Sequence, residues 1–161
     1  RSKIFITNST NYLHLSHNMD VIIKRCRENV QIPQYQTAGA VGFDFAAAEP
    51  MVCEPGKVTK IPTGIIMKIP EGYMLQITAR SSTSIKRGLM MSNGVGTIDQ
   101  DYCGPTDEIH LLVYNFTPEP VHISAGDRLA NGIFIPVEIV QFKEVELMTA
   151  TSRGGFGSTG I

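Results

Sequence analysis

Lys57-Val58-Thr59-Lys60-Ile61, closed by Pro62-Thr63-Gly64, and Tyr73-Met74-Leu75-Gln76-Ile77, opened by Pro70-Glu71-Gly72, show how this chain is built. Both runs tend to alternate polar with apolar positions, the period of a strand that buries one face and wets the other. The prolines and glycines around them supply the backbone angles of tight turns, as does Pro55-Gly56 just upstream. Working outward, the chain from Val21 onward breaks into short apolar stretches separated by Gly or Pro every 6 to 12 residues. Ile109 to Tyr114 and Leu129 to Ile135 are more continuously apolar, as strands buried on both faces would be. Many short strands without a long helical pattern predict an all-β fold: a sandwich, a barrel or a jelly roll. Thr83 to Leu89 is the one modest helical candidate, and no internal repeat interrupts the pattern.

With 161 residues, 42% of them hydrophobic, the chain is long enough to bury about 68–70% of its unfolded surface in one domain without disulfides or a structural metal. Fourteen basic against 15 acidic residues, net charge −1, leave no broad cationic face for sequence-independent nucleic-acid binding. The longest apolar runs, such as Leu111–Val113 and Gly132–Val137, fall far short of the roughly 20 residues of a membrane-crossing helix. A soluble protein with neither nucleic-acid nor membrane partners is expected. Cys26, Cys53 and Cys103 are odd in number and form no C-x-x-C pair, so neither a disulfide framework nor a zinc site is expected, and a reducing intracellular compartment is. Residues 1–18 contain no acidic side chain and no secretory apolar segment; they read as a flexible leader, a targeting remnant or an expression scar. The β domain is placed at 19–150, opening at Met19-Asp20-Val21-Ile22-Ile23, and a glycine-rich arm at 151–161.

Several common chemistries have no foothold. There is no G-x-x-x-x-G-K-S/T phosphate loop, no G-x-G-x-x-G, no G-x-S-x-G elbow and no H-E-x-x-H. Four internal segments are more polar than a plain strand protein needs. Gly42-Phe43-Asp44-Phe45 sets an acid between two aromatics, and Ala79-Arg80-Ser81-Ser82-Thr83 follows a strand with one guanidinium and adjacent hydroxyls suited to phosphate oxygens. Asn93-Gly94-Val95-Gly96-Thr97-Ile98-Asp99-Gln100-Asp101-Tyr102 is the third, and Gly126-Asp127-Arg128-Leu129-Ala130-Asn131 is the fourth. Singly, each has an ordinary reading as a turn, a solvated edge or a strand opening. The tail Ser152–Gly160, with four glycines and one Phe, reads by composition as disordered. A lone aromatic among glycines and hydroxyls also suits an arm that lays a ring and backbone N–H groups over a nucleotide.

In this order and spacing the four segments and the tail resemble the five motifs of the trimeric deoxyuridine triphosphatase (dUTPase) family, from Thr37 to Ile161. Thr97-Ile98-Asp99-Gln100-Asp101-Tyr102-Cys103-Gly104 and Gly155-Phe156-Gly157-Ser158-Thr159-Gly160 carry most of the likeness. The resemblance implies a jelly-roll subunit, a distorted β-barrel, in a threefold homotrimer whose active sites are shared between subunits and closed by the C-terminal arm. It implies hydrolysis of dUTP to dUMP and pyrophosphate, with Asp99 activating the water that attacks the α-phosphorus. An ordinary aspartate is ionised at neutral pH and needs no special tuning for that role. Tyr102 would lie beneath the deoxyribose and exclude a 2′-hydroxyl. Asn93 and the backbone of Gly96, Thr97 and Ile98 would read the uracil edge, rejecting cytosine by mispaired buried polar groups. Arg80, Ser81, Ser82 and Asn131 would hold phosphates. Phe156 would stack on the base, while Arg153, Gly157, Ser158 and Thr159 serve the triphosphate tail. Mg²⁺ would be held by the phosphates and water, with Asp44 at most an indirect ligand or a support for the sugar site.

Some positions depart from the family pattern. Ala79-Arg80-Ser81-Ser82 stands where Pro-Arg-Ser-Gly is usual, Asn131 replaces a Gln, and Pro105-Thr106-Asp107 precedes Glu108 as an insertion. The arginine usual five positions before the stacking Phe is Thr151 here, and Arg153 lies three before it. The Arg80-Ser81-Ser82 and Arg87-Gly88-Leu89 pieces also resemble the dCTP deaminases, but the place of their catalytic glutamate, about Leu112, is apolar. A dUTP-binding sensor with little turnover is the remaining alternative.

Overall fold

In the computed structural model, which describes residues 19–155, the elements run β1 (Ile23–Arg25), β2 (Phe43–Ala46), β3 (Met51–Cys53), β4 (Val58–Pro62), β5 (Ile65–Met67), β6 (Tyr73–Ala79), α1 (Ser81–Arg87), β7 (Leu89–Met91), β8 (Gly96–Ile98), β9 (His110–Asn115), β10 (Val121–Ile123) and β11 (Arg128–Pro136). The runs read as strands at 57–61, 73–77, 109–114 and 129–135 are β4, β6, β9 and β11, each within two residues of its expected limits. Gly56, Gly64 and Gly72 take positive φ in the turns between them.

All pairings among the described residues are antiparallel. A four-stranded sheet has the order β2-β11-β6-β8 and a three-stranded sheet the order β4-β9-β7; β1 pairs β5, and β10 pairs β3. Most sheet neighbours are distant in sequence, so the chain crosses repeatedly from sheet to sheet. This is the expected all-β jelly roll. Phe45, Ile61, Leu75, Ile77, Leu111, Val113 and Leu129 are fully buried between the layers, each worth about 1.5–3 kcal/mol in transfer from water. Asn115 at the inner end of β9 is buried too, and its amide is satisfied by the carbonyls of Cys53 and Glu119 at 2.8 Å.

Two local departures from simple periodicity matter for the site. The helix begins two residues earlier than expected and stops at Arg87, because Gly88 takes a left-handed conformation (φ 66°) and its N–H bonds back to Ser84 and Thr83. Leu89 then opens β7 as a core residue instead of closing the helix. On β11, Arg128 pairs Ala46 while Ala130 pairs Phe45, so Leu129 is a bulge. Among the described residues, regular structure ends at Pro136, and residues 138–155 are exposed. Residues 1–18 and the tail from Phe156 to Ile161 lie outside the described residues.

Candidate functional site

Three of the polar segments meet on one face of the four-stranded sheet. Asp44, Asn131 and Thr78 are register partners across β2, β11 and β6, so their side chains share a face, and Arg80, two residues beyond Thr78, joins them. The Leu129 bulge turns Arg128 to the same side. Phe43 and Phe45 point to the opposite face, against Gly132, where a Cβ would lie 2.7 Å from the Phe45 ring and 2.8 Å from that of Phe43.

Asp44 is only 8% exposed, and both its oxygens are engaged. Arg80 Nε lies 3.1 Å from Oδ1, Arg128 Nη1 lies 2.9 Å from Oδ2, and Asn131 Nδ2 donates to Oδ1. Arg80 also donates from Nη1 to the Arg128 carbonyl at 3.2 Å. A buried carboxylate needs such partners to stay charged. Two guanidinium groups around one carboxylate leave a net positive locus with spare N–H donors, the chemistry that receives phosphate.

Helix α1, which carries Ser81 and Ser82, is fixed beside this locus. Thr83 Oγ1 donates to the Leu129 carbonyl at 2.7 Å, and Arg87 grips Asp127 with two contacts of 2.8 Å. Burial pushes the Asp127 carboxyl up, but the hydrogen bonds from Arg87 and from the Ser124 N–H outweigh it and hold it below the usual aspartate range. A cavity of about 510 Å³ opens beside Asp44 and Arg128, walled also by Gln31, Gln34 and Gln36.

The third polar segment builds a second locus where the chain passes from β7 to β8; these strands pair with β9 and β6 in different sheets, so the segment is a crossing turn and not a hairpin. Gly94 takes φ 70°, and its N–H bonds to the Met91 carbonyl. Gly96 is buried, with its Cα side so close to β6 that a Cβ would lie 3.3 Å from that of Ile77. A cavity of about 270 Å³ is lined here by Asn93, Gly96, Thr97, Asp99, Tyr102 and His110, together with Ile98 and Leu112. Asp99 is exposed just past β8, and the Tyr102 hydroxyl donates to the Glu108 carbonyl at 3.0 Å.

A single chain does not join these two loci. Ile77 is the register partner of Gly96, and continuing that register puts Asp99 beside Met74, six residues before Arg80 along β6. At roughly 3.3 Å per residue the two lie about 20 Å apart along the strand. Arg80 also reaches away from β8, toward β2. Arg153 is in the exposed segment after β11, and Phe156, Gly157, Ser158 and Thr159 lie outside the described residues. Arg128 stands in the fourth polar segment, but only the register puts it at the site: strict alternation would set it on the face opposite Asn131, and the bulge at Leu129 returns it to Asp44. The ion pair between Arg27 and Glu108 spans too much chain to be read locally.

The chain matches the dUTPase family model over residues 28–160. The deoxyuridine 5′-triphosphate nucleotidohydrolase of Wolinella succinogenes is 40% identical over 144 residues, covering 88% of this chain and 95% of that protein. The protein of the same name from Finegoldia magna is 44% identical over 138 residues, covering 83% and 94%. Among solved structures, the dUTPase of Streptococcus mutans superposes with a TM-score of 0.69 at 30% identity, covering 74% of this chain and 98% of that one. The Staphylococcus bacteriophage 80alpha dUTPase with dUPNHPP superposes with a TM-score of 0.78 at 25% identity, covering 88% and 99%.

Proposed function

Because the chain belongs to the dUTPase family, we propose that it hydrolyses dUTP to dUMP and pyrophosphate at sites shared between the subunits of a homotrimer. The observation that carries this reading is the pair of separated loci. The guanidinium-rich face of Asp44, Arg80, Arg128 and Asn131 suits a triphosphate, and the cavity beside β8 with Asp99 and Tyr102 suits a deoxynucleoside. Their separation of about 20 Å along β6 calls for a second copy to bring an Asp99 to each Arg80. The segment after β11 points the same way. Ile139, Phe142, Leu147 and Met148 are 77–96% exposed, more apolar surface than a free segment ordinarily leaves to water.

In the reaction, Asp99 accepts a proton from water as its oxygen bonds to the α-phosphorus. The bond from that phosphorus to the α–β bridging oxygen breaks, and pyrophosphate leaves with the electron pair. Arg80, Ser81, Ser82 and Asn131 hold the phosphates in line, which is where orientation lowers the barrier most. Asp44 keeps Arg80 and Asn131 in place. Asn93 and the backbone of Gly96, Thr97 and Ile98 pair with uracil, and Tyr102 packs against the sugar. Phe156, Gly157, Ser158, Thr159 and Arg153 close the site from the C-terminal arm.

Mg²⁺ fits this donor set. Among the described residues no group of three or more His, Cys, Asp or Glu side chains is gathered to hold a metal, and the Asp44 oxygens are already taken. That arrangement suits a cation carried by the triphosphate and its waters, where it would neutralise charge on the phosphates. A related dUTPase, from phage phi11 of Staphylococcus aureus, is described with a structural Mg(II) ion.

A Mg²⁺-dependent assay over dUTP, dCTP, dTTP and UTP, with products identified separately, tests the reading. Release of dUMP and pyrophosphate from dUTP alone is expected. Tight dUTP binding without product would favour a sensor, and a uracil nucleotide from dCTP would favour deamination, although Leu112 offers no carboxylate to the cavity beside β8. We also place the protein in a reducing intracellular compartment, in keeping with free Cys26, Cys53 and Cys103. Thiol labelling in intact cells checks it, and oxidised cysteines would count against it.

A further inference from the structure

Glu108 works at both ends. Its carboxylate, on a side chain only 12% exposed, receives Arg27 as a fork, Nε to Oε1 at 2.8 Å and Nη2 to Oε2 at 3.1 Å. The Gly64 N–H adds a third bond to Oε1 at 2.7 Å. Arg27 is itself held by Glu49 through Nη1 at 2.6 Å. Gly64 in turn accepts the Cys26 N–H at 2.9 Å, so the carboxylate is clamped between the turn after β1 and the turn between β4 and β5. At the other end, the Glu108 backbone carbonyl receives the Tyr102 hydroxyl at 3.0 Å and faces His110 Nδ1 at 2.7 Å. Burial pushes the Glu108 carboxyl up, but Arg27 and the Gly64 N–H outweigh it and leave it below the usual glutamate range.

Tyr102 follows an irregular loop and is 39% exposed. Its hydroxyl bond to Glu108 ties the ring to residues outside its own loop, and the peptide unit of that carbonyl is held from two sides, by the Ile109 N–H bonded to the Ile65 carbonyl at 2.8 Å and by the clamp on the Glu108 carboxylate. We propose that the Arg27–Glu108 pair is a positioning device for sugar selection, setting the ring of Tyr102 at the height that admits a deoxyribose and excludes a ribose. Arg27 lies 81 residues away in sequence and does not line the cavity that holds Asp99 and Tyr102, so its effect on the sugar site runs through Glu108 and Tyr102. The proposal rests on the reading of Tyr102 as the residue beneath the sugar.

The test measures kcat and KM of the full-length protein on dUTP and UTP for the wild type, Arg27→Met, Glu49→Gln, Tyr102→Phe, Tyr102→Ala and the double variant Arg27→Met/Tyr102→Phe. The readout is the ratio of kcat/KM for dUTP to that for UTP. A protein that has merely lost stability loses active fraction for both substrates alike, so its ratio stays put. Arg27→Met is expected to lower the ratio about 10-fold, on the scale of small misplacements of a positioning group, with kcat on dUTP largely kept. Tyr102→Phe is expected to lower it similarly, and the double variant no further, since both cuts open the same link. Glu49→Gln, which spares the fork, is expected to leave it unchanged. A ratio that falls with Tyr102→Ala and not with Arg27→Met overturns the positioning role and leaves the reading of Tyr102 standing. A ratio unmoved by Tyr102→Ala overturns both.

Discussion

Chains carrying Asp99→Asn and chains carrying Arg80→Gln should each be inactive alone and recover activity when assembled together. The reasoning runs from register. β6 places Arg80 six residues beyond Met74, the position that the β6–β8 register, continued by one residue, sets beside Asp99, and six residues of strand span about 20 Å. General-base catalysis needs the carboxylate within hydrogen-bond reach of the attacking water, about 3 Å, and Arg80 must touch the phosphates of the same substrate. Within one chain Arg80 is also turned away from β8, toward Asp44, whereas in the proposed trimer Arg80 would come from one subunit and Asp99 from a neighbour. Arg80→Gln keeps an N–H for the buried Asp44 carboxylate, so the partners on β2 and β11 stay in place while the guanidinium is lost. Unfolding the two variants together in equal amounts and refolding them assorts chains at random. Both groups are then intact in about a quarter of heterologous sites, so about a quarter of wild-type activity should return. The two variant chains differ in charge, which lets ion exchange confirm that mixed oligomers have formed. Mixed oligomers with no activity above the parent variants would refute the shared site and put Asp99 and Arg80 in one chain's active centre.

Other consequences follow from packing and charge. Gly132→Ala would drive a methyl to 2.7 Å from the Phe45 ring and 2.8 Å from that of Phe43, over-packing that costs about 1–3 kcal/mol; an unchanged melting temperature would show that the rings yield freely. Asp127 is held below the usual range, with burial opposing and Arg87 prevailing. Its contribution to stability is therefore full above the unfolded aspartate pKa of about 3.9 and is lost as the pH falls through the depressed folded value. Asp127→Asn should accordingly flatten the fall in urea midpoint on acidification below roughly pH 4, and an unaltered slope would count against the Arg87 pairing. Deleting residues 152–161 should cut turnover severely while leaving the unfolding midpoint nearly as before, because the described part of that stretch is exposed; full activity would remove the arm from the reaction.

What could be read from the sequence divides along the range of the interactions involved. Strands such as β6 and the turns at Gly56, Gly64 and Gly72 follow from local alternation and from backbone angles that glycine alone adopts without strain, and they were legible. The end of α1 was legible in principle as well, since Gly88 is a common helix stop. The pull of Leu89 toward a helical period hid it, because Leu89 is a core residue in either conformation. Arg128 shows where local reading fails for a physical reason. Period two puts positions 128 and 131 on opposite faces, and only the inserted Leu129 of the bulge returns Arg128 to the face of Asp44. That bulge is set by the partner strand β2, more than 80 residues earlier in the chain, so no window around residue 128 contains it. The same holds for Arg27 and Glu108, joined across a similar span. The groups proposed to receive substrate lie in compact motifs visible in the sequence, whereas the pairs that hold such groups in position are made by the fold and are visible only once its register is known.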